Sequence, residues 1–352
     1  MSDTLTKLSY QTLQHGKNYF SLAHKILSSR LRSLIYPTFE QNTKPFANEV
    51  VLQLQQRLNQ LLEKDWQDAE QGIYPNSSLF DNPWEDFLSF YPLVWLDLPQ
   101  IWEREQKNKY QDFAPEIETD GYPSYYVQNF HHQSNGYLSD LSANLYDLQV
   151  EILFGGSADA MRRRILAPLK QGIKAFESVK PRQIRILDVA CGTGRTLKLI
   201  RSALPQASLF GTDLSPTYLR KANELLTHIL GELPQLLQAN AEELPYLDDY
   251  FHAVTSVFLF HELPATVRQT VIEQCFRVTK PGGVFIICDS IQLNDSPEFA
   301  PVMNYFSQTY HEPYYRHYTT DNLVERLEKA GFENIETEFH FMSKYFIAHK
   351  PA

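Results

Sequence analysis

The sequence predicts an α/β fold: a doubly wound, seven-stranded, mostly parallel sheet with a helical N-terminal extension. Three observations lead there. Strand-like and helix-like segments alternate from about residue 184 onward, a glycine-rich turn follows the first strand, and residues 1–150 lack that alternation.

Residues 184–189 are a β-rich run that ends in the turn Ala190-Cys191-Gly192-Thr193-Gly194. A helix follows from Arg195 to Leu204, with Leu197, Ile200 and Leu204 at helical spacing and Pro205 beyond. Residues 208–212 read as the second strand. Ser215-Pro216 then reads as an N-cap with proline at the first helical position, opening a helix that runs to about Leu230 and stops at Gly231. Residues 233–238 and 252–258 are the third and fourth strands. The next helix carries Val267, Val271, Cys275 and Phe276 on one face. Lys280-Pro281-Gly282-Gly283 is a turn before a fifth strand at 284–288. Thr319 or Thr320 caps a helix closed by Gly331, and two strand-like runs, 334–340 and 344–349, form an edge hairpin.

The extension carries helical stretches such as Val51, Leu54, Leu58, Leu61 and Leu62, together with Trp66, Trp84, Trp95 and Trp102. Residues 1–140 are expected to form a cap and 141–352 the ligand-binding domain. Residues 17–36 set Phe20, Ile26, Leu27, Leu31, Leu34 and Ile35 beside Lys17, Lys25, Arg30 and Arg32. That pattern suits either peripheral contact with a membrane surface or a core-packed helix with a solvated basic face.

Composition narrows the classes. A formal net charge of −10 removes the bulk attraction to phosphate backbones, so no nucleic-acid partner is expected. The three cysteines, Cys191, Cys275 and Cys288, form no C-x-x-C pair, so neither a disulfide framework nor a zinc knuckle is expected. The N-terminus lacks a charged segment followed by an apolar one, and no apolar run approaches the ~20 residues of a membrane span. A cytoplasmic chain is the expectation.

The ligand is read from strand ends. A dinucleotide turn has the form G-x-G-x-x-G, but only Gly192 and Gly194 are in place here, with Leu197 at the third position. Asp188 at the strand end suits an ammonium group and repels a pyrophosphate. Asp213, at the end of the second strand, can accept both hydroxyls of a ribose, a feature that suits NAD equally. After the third strand, the Asn240 carbonyl can accept from an adenine amine while the Ala241 N–H meets a ring nitrogen. S-adenosyl-L-methionine has an ammonium, a sulfonium and no phosphate, and meets all three markers. An NAD-dependent oxidoreductase and a non-catalytic regulatory module that binds S-adenosylmethionine are the alternative readings.

The stretches 187–194, 211–215, 241–246 and 277–283 resemble the class I, Rossmann-type methyltransferases, most of all the branch acting in ubiquinone and menaquinone biosynthesis. The resemblance covers roughly residues 140–350. It implies that Asp188, Ala190, Gly192 and Gly194 hold the methionine part, Asp213 with Leu214 the ribose, and Asn240 with Ala241 the adenine. Asn240 stands where the family usually has Asp. Ser142-Ala143-Asn144-Leu145-Tyr146-Asp147 resembles the segment that closes over the cofactor through Tyr146, and Phe258 ends the fourth strand beside it. Arg162, Arg163 and Arg164 stand where an arginine reaches the cofactor carboxylate in relatives, or else on a solvated helix face.

Three further segments are candidates for the acceptor side: Phe258 to Pro264 with His261, Asn129 to Leu138 with His131 and His132, and His311 to Tyr318. His261 is the candidate general base, with His132 a second catalytic candidate, because an imidazole titrates near neutral pH. His311-Glu312 lacks an H-E-x-x-H pattern, so no metal is expected. The expectation is transfer of a methyl group to a small lipophilic or aromatic acceptor, at carbon or oxygen.

Overall fold

A computed structural model of the chain describes residues 2–37, 46–81, 83 and 87–352; the predicted position of Trp84 lies outside these. Seven strands form one sheet: β1 (Arg185–Val189), β2 (Ser208–Asp213), β3 (Gln235–Gln238), β4 (Phe251–Val257), β5 (Thr279–Ser290), β6 (Glu333–His340) and β7 (Ser343–His349). The order is β3-β2-β1-β4-β5-β7-β6. The first five strands pair in parallel, while β7 runs antiparallel to both β5 and β6. The hairpin therefore sits at the edge as expected, with its second strand on the inside.

Twelve α-helices lie among the described residues. The extension holds α1 (Ser2–Ile35), α2 (Asn48–Glu70) and α3 (Phe87–Lys107). Then come α4 (Asp140–Leu153), α5 (Ala158–Arg163), α6 (Leu166–Gly172), α7 (Arg195–Ala203), α8 (Pro216–Thr227) and α9 (Ala265–Val278). The last three are α10 (Ala300–Thr309), α11 (Tyr315–Tyr318) and α12 (Leu323–Ala330). The capping chemistry is largely as read. The Ser215 side chain accepts from the Tyr218 N–H with Pro216 in the first turn, and Gly331 closes α12 at φ +106°. The cap of α12 is Asn322, whose side chain accepts from the Glu325 N–H, rather than either threonine. The predicted turn at 280–283 lies inside β5: pairing jumps from Phe251↔Thr279 to Ala253↔Val284, so Lys280 to Gly283 bulge out of the ladder.

Strand alternation divides the sheet into two apolar faces. Ile186, Val284, Ile286 and Cys288 join one core, and Leu187, Val189, Phe285 and Ile287 join the other with α9 and α12. The first core runs without a break into the extension, through Tyr10 of α1 and Leu58, Leu61 and Trp66 of α2. A polar lock lies within it. The Arg163 guanidinium donates to both oxygens of Asp65, at 2.8 and 2.6 Å, and the Tyr10 and Tyr74 hydroxyls donate to the same carboxylate at 2.5 and 2.7 Å. Arg164 pairs with Asp68, also on α2. These two arginines thus join α2 to the sheet domain, and their charge is met by buried acids.

Helix α1 is inverted in its amphipathicity. Gln14, Lys17, Ser21 and Arg32 are buried, whereas Tyr19, Leu22, Ile26, Leu27 and Leu34 are exposed. No helix among the described residues is long and apolar enough to cross a membrane.

Candidate active site

The carboxyl ends of β1, β2 and β4 open onto one cleft, the position expected for a ligand in a doubly wound sheet. Ala190, Gly192, Asp213, Leu214, Asn240, Ala241, Tyr146 and Phe258 all line it. Asp213 is the organising acid: its Oδ2 accepts the Gly192 N–H at 2.9 Å and its Oδ1 the Ser215 N–H at 2.8 Å. Each oxygen keeps a lone pair for a second donor. A Cβ on Gly192 would meet nothing closer than Tyr218 at 3.9 Å, so the space above this glycine is open. Ala190 and Phe258 hold left-handed backbone at φ +58° and +60°, a strain that non-glycine residues keep where a site over-determines them. An adenosine bearing an amino acid chain fits this donor and acceptor set.

Burial, opposed by three backbone donors, pushes the Asp213 carboxyl up to about 6. Burial likewise pushes Asp188 up to about 7, against the hydrogen bond from Thr255.

Two residues expected to hold the ligand do not line this cleft. Asp188 is buried and accepts from the Thr255 hydroxyl at 2.7 Å, which ties β1 to β4. Gly194 serves packing, since a Cβ there would come within 3.0 Å of Ala222 on α8. Asn240 forms a local turn, its side-chain oxygen accepting the Glu242 N–H at 3.0 Å. Arg162 donates to Asp159 at 3.0 Å and lies 5.4 Å from the centre of the Phe258 ring.

The three polar segments of the sequence converge. His131, from the 129–138 segment, has its Nε2 2.8 Å from Glu312 Oε1 and 3.7 Å from Glu262 Oε1. Tyr137 donates to Glu262. His261 places its Nε2 4.0 Å from Glu262 Oε1 and its Nδ1 2.7 Å from Asp289 Oδ1. Burial works against protonation of His261, but Asp289 outweighs it and the imidazole rises to about 9. The same contest, won by Glu312 and Glu262, raises His131 to about 10. His132 goes the other way: burial, with the neighbouring imidazoles, lowers it to about 4. The expected neutral-pH base at His261 is therefore held as a cation, and His132 is the neutral imidazole. Sequence reasoning reaches Glu312 only beside His311, and Glu262 and Tyr137 only as members of their polar segments; Asp289 lies in none of the three segments and carries no signal there.

A larger cavity of about 420 Å³ lies beside the cleft, between α1, α3 and α4. Its wall is mainly apolar, with Val94, Leu98, Ile101, Trp102 and Ile152, and it is edged by Lys25, Arg32, His131 and His132. Tyr146 lines both spaces. The cleft itself encloses about 100 Å³. That is below the ~300–1,000 Å³ of a small-molecule site, so the tyrosines lining it must move for a nucleoside to enter.

This sheet order with its reversed seventh strand, and a glycine turn facing acids at successive strand ends, define a Rossmann-like methyltransferase fold. A family profile described as a methyltransferase domain matches residues 186–283. The chain belongs to the class I S-adenosylmethionine-dependent methyltransferases. It is 27% identical over 230 residues to a demethylmenaquinone methyltransferase of Thermotoga maritima, a match spanning 60% of this chain and 93% of the relative. It is 30% identical over 175 residues to the ubiquinone/menaquinone biosynthesis C-methyltransferase UbiE of Photorhabdus laumondii, 43% of this chain and 67% of the relative. The crystal structure of a SAM dependent methyltransferase from Aquifex aeolicus aligns with a TM-score of 0.37 at 21% identity, over 52% of this chain and 88% of its own.

Proposed function

We propose that the chain methylates a small lipophilic or aromatic acceptor, at carbon or oxygen, with the cofactor in the cleft and the acceptor in the 420 Å³ cavity. The observation that carries this reading is the shared wall: Tyr146 borders both spaces, and His131 of the cavity lies 3.7 Å from Glu262 of the cleft. Relatives named for demethylmenaquinone and for ubiquinone and menaquinone biosynthesis support the lipophilic class.

The cofactor supplies an electrophilic methyl group. In this reading Gly192 leaves room for the methionine part, Asp213 accepts from the ribose, and Asn240 with Ala241 meets the adenine. Asp188 and Gly194 hold the turn in shape. Residues 1–140 form the cap that walls the acceptor, and 141–352 the catalytic domain. The apolar wall excludes water from an in-line displacement whose main demand is alignment. His132 lines the cavity as a neutral imidazole; burial lowers it to about 4, so it serves as a hydrogen-bond acceptor rather than a base. His261, held charged by Asp289, is an orienting group.

The inverted face of α1 adds a partner to this reading. Lys25 and Arg32 of α1 edge the cavity, while Leu22, Ile26 and Leu34 of the same helix face outward, an arrangement suited to peripheral contact of residues 17–36 with a lipid surface from which an apolar acceptor enters.

The test is transfer of a labelled methyl group from S-adenosylmethionine into polar and lipid extracts. Label in one low-polarity product is expected. Label confined to polar metabolites or to macromolecules would sink the acceptor assignment.

A further inference from the structure

Where the two cavities meet, His131, Glu262 and Glu312 present one ligand-type atom each, all within 4.8 Å of one another. Two donors that share an ion at ~2.1 Å stand at about 2.8 to 4.2 Å from one another. The separations of 2.8 Å between His131 and Glu312, 3.7 Å between His131 and Glu262, and 4.0 Å between His261 and Glu262 follow that spacing.

Two independent features point to a ligand. The Glu312 side chain is fully buried, and neither carboxylate oxygen accepts a well-directed hydrogen bond, although the His131 Nε2 stands beside one of them. In the metal-free chain the His131 imidazolium meets this charge, and a divalent ion would take its place by displacing the proton. The second feature is the support around the cluster. Asp289 holds the Nδ1 of His261 at 2.7 Å, which turns Nε2 toward the cluster, and Tyr137 donates to Glu262. Carboxylate-anchored imidazoles and hydrogen-bonded carboxylates are the usual outer shell of a metal centre. The backbone joins in: His131 and His132 both hold left-handed φ, at +54° and +59°, and His131 thereby aims inward.

We propose that His131, Glu262 and Glu312, completed by His261, form a divalent-cation site at the junction of the two cavities, each imidazole releasing its Nε2 proton to solvent as the ion binds. A mixed imidazole and carboxylate set suits Mn²⁺, Fe²⁺ or Zn²⁺ rather than an all-oxygen ion. His131 lines one space and Glu262 the other, so an ion held between them would place an acceptor that is an oxygen donor, a phenol or enol. That last step rests on the reading of the larger cavity as the acceptor chamber; the cation site itself does not. This reverses the expectation of no metal drawn from the missing H-E-x-x-H pattern, because the ligands come from segments 131 and 50 residues apart, 131 to 262 to 312.

The experiment is titration of the chelator-treated full chain with Mn²⁺, followed by electron paramagnetic resonance, and with Zn²⁺, followed by calorimetry. One equivalent of at least one ion is expected to bind. Glu312→Gln and His131→Asn should each weaken it by about tenfold or more. Circular dichroism and S-adenosylmethionine affinity of the same variants report whether they fold. Absence of stoichiometric binding by the folded chain, or equal affinity in folded Glu312→Gln and His131→Asn, overturns the site. Cation binding that persists in a chain with no affinity for S-adenosylmethionine would sink the proposed cofactor cleft and leave the metal site standing.

Discussion

The Nδ1 of His261 lies 2.7 Å from Oδ1 of Asp289, and the second oxygen of that carboxylate accepts the Phe260 N–H at 2.7 Å. One acid at the end of β5 thus fixes both the ring and the short turn that carries it. Burial alone would strip the proton from this imidazole; the acid keeps it there, up to about pH 9. In chelator-treated protein, nitrogen-15 resonances of His261 should titrate near 9 and fall toward or below the ordinary ~6.5 in Asp289→Asn. Because the folded value is raised, the pair's contribution to stability is complete below about pH 6.5 and is lost as pH rises through about 9. A wild-type His261 that titrates below 6 would refute the pairing.

His261→Ala removes the orienting imidazole and should slow methyl transfer by about 100-fold while leaving cofactor affinity intact. Turnover at the wild-type rate, measured with the labelled acceptor, would remove His261 from the mechanism.

Asp213→Ala should weaken S-adenosylmethionine binding by about 1–3 kcal/mol, the scale of a lost charged hydrogen bond. The pH dependence has a definite sign. Asp213 is raised to about 6 by burial, and an ionised carboxylate is the better acceptor for ribose hydroxyls. Affinity should therefore climb between pH 5 and 7 by up to about tenfold per unit below that pKa, then level off. Calorimetry across that range that shows a flat affinity would exclude this carboxylate from the binding equilibrium.

Asp65 meets Arg163 through two hydrogen bonds and receives two tyrosine hydroxyls as well. Asp65→Ala leaves a buried guanidinium uncompensated and should cost about 3–5 kcal/mol of stability by denaturant titration. A loss under 1 kcal/mol would mean that water reaches this lock.

The outward leucines of α1 should sediment the chain with phospholipid vesicles. Leu22→Glu with Ile26→Glu should abolish the association without lowering the melting temperature, since both side chains are exposed. Vesicle binding that survives the double change would place the contact elsewhere.

Most of the sheet was legible because alternation of apolar runs and helical spacing is a local property, and so are caps such as Ser215 and Gly331. The lining of the cleft was legible for a related reason: the ends of β1, β2 and β3 are fixed once the strands are found, and Asp213 and Asn240 stand there. The acceptor side was legible only as three separate polar segments. Which histidine faces the junction depends on two consecutive left-handed residues, and periodicity gives no sign of that reversal. The arginine triplet was ambiguous for a different cause: Arg163 answers to Asp65, 98 residues upstream, and local sequence carries no trace of the pairing.

Tyr146 borders the cleft on one side and the larger cavity on the other. A single ring shared by two compartments ties their occupancies together, and this bears on the rate law. The narrower compartment has to widen before a nucleoside enters, and that movement reshapes the wall the acceptor meets. Initial-velocity data should then follow an ordered sequential scheme led by the cofactor. The demethylated cofactor should inhibit competitively against S-adenosylmethionine and non-competitively against the acceptor.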